Sequence, residues 1–190
     1  MKLNAKQLRK LTGYRGQGTV KKNEIYIILD DVLDTYNIGS IFRLADAVAA
    51  KKIYICGESE IPPNHRIKKA SINTTEVVEW EYCETAVEAI HKIRKLLDSA
   101  SPHSKNIVRA KSRTTLQVVA VEQNPRSVPY DQYDYKLPIA LVVGHESDGV
   151  SAEVLKVCDA IVELPMFGVN KSLNVMVSLG IVLYEVVKRI

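Results

Sequence analysis

Residues 163–180 read ELPMFGVNKSLNVMVSLG. The stretch leaves an apolar run at Ala160–Leu164, which reads as a strand, and enters a second one at Ser172–Arg189, which reads as a helix. Pro165, Gly168, Asn170, Lys171, Ser172 and Asn174 lie between or at the helix mouth, too polar for a core. A plain account makes this a helix start with Ser172 as N-cap, its hydroxyl accepting the first free amide hydrogens. A second account makes it a ligand site, because ligands of parallel sheets lie beyond the carboxyl ends of the strands. The rest of the chain has to choose between them.

Outward from this stretch, strand and helix patterns alternate. Apolar strand runs fall at Glu24–Val32, Lys52–Cys56, Val77–Trp80, Leu116–Glu122 and Ile139–Val143. Helical spacing of apolar residues falls at Asn37–Ala50, Thr85–Leu97 and Ala152–Cys158, with a short basic helix available at Asn4–Leu11. Gly57–Ser71 reads as a polar loop around Pro62-Pro63 with a short helix after it, and Asn124–Pro138 as an irregular Tyr-rich loop. Strands apolar on both faces, alternating with helices, predict an α/β domain with a mainly parallel sheet flanked by helices. There is no repeat at a fixed period.

The 190 residues suffice for one buried core, which we place at 24–190 behind a basic extension at 1–23. The apolar runs Ile139–Val143 and Leu179–Tyr184 are too short to span a bilayer, and the first residues lack the apolar segment of a secretory signal. Cys56, Cys83 and Cys158 show no CxxC spacing, which suits reduced thiols in a cytoplasmic protein. His65, His91, His103 and His145 show no metal-ligand spacing, so no metal is expected. Asp30, Asp31 and Asp34 read as capping or solvated acids rather than magnesium ligands.

The net charge of +4 is unevenly spread. Lys2, Lys6, Arg9, Lys10, Arg15, Lys21 and Lys22 precede the first acid, and a second basic region runs from Lys92 to Arg113. Its later part, about 99–113, reads as an insertion carrying Arg109, Lys111 and Arg113. Such concentrations suit a polyanion such as RNA, whose phosphates release counterions when neutralised. A solvated tail and a basic helix face would look the same.

Three polar clusters sit at strand ends. After the first strand come Asn37-Ile38-Gly39-Ser40-Ile41-Phe42-Arg43; Asn37 reads as an N-cap, and Arg43 also fits a helix arginine laying its stem on apolar neighbours. After the Leu141–Val143 strand come Gly144-His145-Glu146-Ser147-Asp148-Gly149-Val150-Ser151, where Ser151 can cap the next helix. This is no GxGxxG, and no Gly-rich turn follows the first strand, so a dinucleotide enzyme is disfavoured. The third cluster is the opening stretch.

In this order and spacing, the clusters resemble the SpoU-type, TrmH-like RNA ribose 2′-O-methyltransferases of the SPOUT superfamily. The resemblance rests on Asn37, Gly39 and Arg43; on Val143-Gly144, Glu146 and Gly149; and on Leu164-Pro165-Met166, Gly168 and Ser172-Leu173-Asn174-Val175. It covers roughly Glu24 to Ile190. The chain departs from the family at Ala49, where a glycine is common, and at Met176, where a small residue is usual; both imply adjusted packing.

The resemblance implies a fold that composition does not reveal, with a deep C-terminal trefoil knot, and a homodimer. It implies S-adenosylmethionine held by Val143, Gly144, Glu146, Ile161, Leu164, Met166, Ser172, Leu173 and Asn174. It implies methylation of a ribose 2′-hydroxyl in tRNA or rRNA, with Arg43 at the reacting oxygen and Asn37, Glu146, Ser172 and Asn174 orienting it and the substrate. RNA phosphates would then meet Lys6, Arg9, Lys10, Arg15, Lys21, Lys22, Arg43, Arg109, Lys111 and Arg113. A catalytically silent RNA-binding protein of the same fold is the alternative.

Overall fold

A computed structural model describes residues 21–100 and 115–190. The short helix at Asn4–Leu11, most of the insertion, and the proposed RNA contacts Lys6, Arg9, Lys10, Arg15, Arg109, Lys111 and Arg113 lie outside the described residues.

β1 (Asn23–Asp30) and β6 (Ile139–Gly144) form the middle of a seven-stranded parallel sheet. Beyond β1 lie β2 (Ala50–Cys56) and β3 (Trp80–Cys83); beyond β6 lie β4 (Gln117–Val121), β7 (Ala160–Glu163) and the two-residue β5 (Val128–Pro129). The winding direction reverses between β1 and β6, the place where a parallel sheet opens a crevice at its carboxyl edge.

Side chains of β1 alternate between two cores, as the pleat requires. Ile25, Ile27 and Leu29 face α1 (Thr35–Ala47), α2 (His65–Ser71) and α5 (Val175–Lys188), meeting Ile38, Ile41, Phe42, Ile67, Leu179 and Val182. Tyr26 and Ile28 face α3 (Ala86–Ala100) and α4 (Ala152–Val157), meeting Ala89, Ile90, Ile93 and Val154. Each buried Ile or Leu contributes about 1.5–3 kcal/mol of transfer free energy, so this double burial fixes the layer order. No helix among the described residues is long and apolar enough to cross a membrane.

Several boundaries differ from the sequence reading. α1 starts at Thr35, not Asn37, because Asp34 caps it: the Asp34 carboxylate accepts the Tyr36 N–H at 2.7 Å. Asn37 is thereby drawn inside the first turn and buried. α5 starts at Val175, not Ser172, because Asn174 Oδ1 accepts the Met176 and Val177 amides at 3.0 and 3.4 Å. Ser151 does stand at the N-cap of α4, but its side chain makes no capping bond; its N–H instead donates to Asp30 Oδ2 at 2.8 Å. β3 starts at Trp80, not Val77, because Thr74–Glu76 form a 3-10 turn whose Thr74 carbonyl takes both the Val77 and Val78 amides. α2 lies within the stretch read as a loop: Asn64 caps it and Ile67 is its buried anchor.

The two departures from the family pattern have local consequences. Ala49 ends the α1–β2 turn at φ 50°, in the left-handed region where a Cβ is disfavoured and glycine is not. Met176 is half-buried and packs against the core shared by α1 and α5.

Candidate active site

The carboxyl ends of β6, β4 and β7 open into one cleft of about 380 Å³. The second and third clusters line it; the first does not, and reaches it only through hydrogen bonds to Glu146 and Asn174. From β6 come Val143, Gly144 and Glu146; from β7, Leu164 and Met166; from the start of α5, Ser172, Leu173 and Asn174.

The clusters are joined by a chain of hydrogen bonds. Glu146 Oε1 accepts from Asn37 Nδ2 at 3.0 Å and from the Asp34 N–H at 3.0 Å, while Oε2 accepts the Leu33 N–H at 3.1 Å. Asn37 Oδ1 in turn accepts from Asn174 Nδ2 at 3.0 Å. Asn174 uses its own oxygen to cap α5. Both bonds made by Asn37 span more than 100 residues of sequence, so they lock the first turn of α1 to a strand end and to the start of α5. Burial pushes the Glu146 carboxyl up, but the bonds from Asn37 and the Asp34 and Leu33 amides outweigh it and hold the group below its ordinary value.

The loop from Gly144 to Gly149 is folded tightly on itself. His145 and Gly149 exchange backbone hydrogen bonds at 3.0 and 2.9 Å, and a Cβ on Gly144 would run into the Gly149 backbone. His145 Nδ1 accepts the Ser147 and Asp148 amides at 3.0 and 3.2 Å, so the imidazole shapes the loop. Sequence reasoning missed Glu122: from the end of β4 it accepts the Val150 N–H at 2.9 Å and lines the cleft. Gln123 beside it donates to the Lys171 carbonyl at 2.6 Å, tying the β4 end to the opening stretch. The signal for both was only their position after an apolar strand. Asp30, at the end of β1, is buried and holds Ser151; burial keeps its carboxyl above its ordinary value against that bond.

Two expected residues are placed elsewhere. Ile161 does not line the cleft: its side chain is buried on the α3–α4 face, and Val162 takes the cleft side instead, as alternation along a strand demands. Arg43 is exposed on α1, outside the cleft lining, and bonds to none of Asn37, Glu146, Ser172 or Asn174. Ser172 lines the cleft with its hydroxyl unengaged by described residues. Lys21 and Lys22 precede β1 at the amino edge of the sheet, the end opposite the cleft. Among the described residues no three His, Cys, Asp or Glu side chains gather as metal ligands.

The cleft combines apolar walls (Val121, Val143, Val162, Leu164, Met166 and Leu173) with the carboxylates of Glu122, Asp148 and Glu163. Its size falls in the range of small-molecule sites. Apolar walls suit a flat heterocycle, and the carboxylates suit a cationic ligand.

The family model described as the SpoU rRNA Methylase family matches residues 24–106 and 99–184. A tRNA (guanosine(18)-2′-O)-methyltransferase of Aquifex aeolicus is 31% identical over 168 residues, 87% of this chain and 69% of that protein. A 23S rRNA (guanosine-2′-O-)-methyltransferase of Ralstonia nicotianae is 25% identical over 169 residues, 87% of this chain and 59% of its own length. The crystal structure of an AdoMet-bound rRNA methyltransferase from Sinorhizobium meliloti superposes with a TM-score of 0.71 at 28% identity, covering 88% of this chain and 57% of that one. The chain thus spans between 57% and 69% of the length of these three relatives.

Proposed function

The chain belongs to the SpoU rRNA methylase family, and from that premise we propose that it transfers a methyl group from S-adenosylmethionine to a ribose 2′-hydroxyl of tRNA or rRNA. The observation that carries this reading is the Glu146–Asn37–Asn174 chain of bonds, which ties the family's first motif to the second and third, both of which line one cleft. Support for the cofactor comes from the fit of the cleft: apolar walls for the adenine, and Glu122, Asp148 and Glu163 for the cationic methionine end.

When bound, S-adenosylmethionine supplies a methyl group already activated by its sulfonium charge. The protein's part is then alignment, which can account for much of the rate of a displacement. Gly144 and Leu164 would present backbone groups to the adenosine, with Leu173 covering it. Glu146 is held ionised by three donors and is engaged on both oxygens, so it anchors the loop rather than moving a proton. Arg43, exposed and free of partners among the described residues, is available to the RNA. A guanidinium is a donor and not a base in proteins, so its role is to hold the adjacent phosphate and stabilise the developing alkoxide. Ser172 and Asn174 would orient the ribose.

We further infer a homodimer and a knotted C-terminus. Leu33, Tyr36, Val177, Ile181 and Tyr184 are 42%, 50%, 39%, 36% and 56% exposed. The last three follow one stripe of α5, a surface that a second copy would cover. The tie between Gln123 and Lys171 suits a chain threaded through the loops beyond β4. A single catalytic domain from 24 to 190 fits the one continuous sheet.

The test is incubation of the purified chain with bulk tRNA or rRNA and labelled S-adenosylmethionine, followed by nucleoside analysis. A 2′-O-methylated nucleoside is expected; RNA binding with no methyl transfer would leave the silent RNA-binding alternative. Arg43→Ala is expected to cut kcat about 100-fold or more while cofactor binding persists.

A further inference from the structure

The cations of α2 have no place in the site described so far. His65, Arg66, Lys68 and Lys69 are exposed on this seven-residue helix, and no acid occurs from Ile61 to Thr75. Arg66 and Lys69 have no side-chain hydrogen-bond or ion-pair partner among the described residues. Lys68 reaches only Glu76, at 3.8 Å, and both side chains are about two-thirds exposed, 66% and 65%, so that pair holds it weakly. Two cations at the amino edge of the sheet, Lys51 and Lys136, behave differently. Lys51 pairs with Glu24 at 2.9 Å and Lys136 with Asp134 at 2.7 Å.

The placement of α2 turns a charged helix into part of the site. α2 crosses α1 at Gly39, where a Cβ would lie 2.6 Å from both the Ala70 side chain and the Ile67 carbonyl. Gly39 is two residues beyond Asn37, about 3 Å further along the helix axis and on the opposite side of α1 from the bond network. Arg43 is one turn further along the same face of α1. The unpaired guanidinium of Arg43 therefore lies on the face of α1 that α2 crosses, next to the helix that carries the exposed cations.

We propose that the exposed cations of α2, Arg66 and Lys69 foremost, form with Arg43 the track on which the RNA phosphodiester backbone lies next to the methylated nucleotide. This rests on the methyltransferase reading and deepens it by fixing where the strand runs. The interactions are electrostatic and sequence-independent; they set register rather than base choice.

The experiment compares the 190-residue chain with an Arg66→Gln/Lys69→Gln variant and a Lys51→Gln/Lys136→Gln control, using bulk tRNA as the probe. Binding is measured across a salt series, with steady-state methylation and S-adenosylmethionine binding alongside. For each phosphate that is no longer neutralised, the slope of log K against log salt should fall by about 0.7–0.9, so the α2 variant should drop by about 1.5 and bind RNA about tenfold more weakly. Its KM for RNA should rise with kcat and cofactor binding unchanged, and the control should match wild type. An unchanged slope in the α2 variant, or an equal drop in the control, overturns the track while leaving the methyltransferase reading intact. Failure of the wild-type protein to bind RNA overturns both.

Discussion

Asn37 faces two ways. Its amide nitrogen donates to Glu146 and its oxygen accepts from Asn174, both at 3.0 Å, and only 6% of the residue is exposed. Truncation would remove both bonds; Glu146 and Asn174 are exposed and keep other partners, so the cost is that of the bonds themselves, about 0.5–1.5 kcal/mol each. Asn37→Ala should therefore lower the midpoint of urea unfolding and weaken S-adenosylmethionine binding together; a fall in one without the other would separate the network from the cleft. The two perturbed acids of the site give opposite pH signatures. Glu146 has a depressed folded pKa, so its contribution is present above the unfolded value and is lost as pH falls through the folded one. Asp30 has a raised folded pKa, so its ionisation opposes folding as pH climbs from the unfolded value through the folded one. In urea titrations against pH, Glu146→Gln should flatten the acid side of the stability curve, whereas Asp30→Asn should gain on wild type only above the ordinary carboxylate range. Both residue types at strand ends were legible in the sequence; the directions of their shifts were not, since they come from partners over 100 residues away.

At the scale of elements, caps explain where the sequence reading was right and where it slipped. Helical periodicity located α1 and α5, but periodicity says nothing about which nearby polar residue takes the first amides. Asp34 and Asn174 win over Asn37 and Ser172, and the displaced pair become available for the site. The same reasoning recovers α2, hidden in a polar segment because a short helix needs only one buried anchor, Ile67. The turn from α1 to β2 holds a correctable defect. Ala49 at φ 50° carries a Cβ in a conformation that costs L residues roughly 1–2 kcal/mol. Ala49→Gly should raise unfolding stability by about 1 kcal/mol, less the added chain entropy of glycine, with methylation unchanged. A neutral or negative change by denaturant titration would mean that the alanine side chain packs well enough to offset its backbone.

For the molecule as a whole, the apolar stripe of α5 matters most. Tyr184 and Ile181 are too exposed, at 56% and 36%, to serve the core of a single copy. Ile181→Glu with Tyr184→Glu should shift sedimentation from dimer to monomer and abolish methylation, while the urea midpoint measured at low protein concentration stays within about 0.5 kcal/mol of wild type, as for surface changes. A wild-type monomer at assay concentration would remove the dimer from the account. The sequence by itself determined the α/β class, the parallel sheet and the identity of the three clusters, because apolar runs, alternation and ordered motifs are local patterns. The tertiary structure alone decided that Asn37 bonds to both Glu146 and Asn174, that Val162 rather than Ile161 faces the cleft, that Glu122 joins it, and that Arg43 stands outside the cleft lining. Those outcomes depend on strand order and helix crossing, which bring together groups that no spacing along the chain relates.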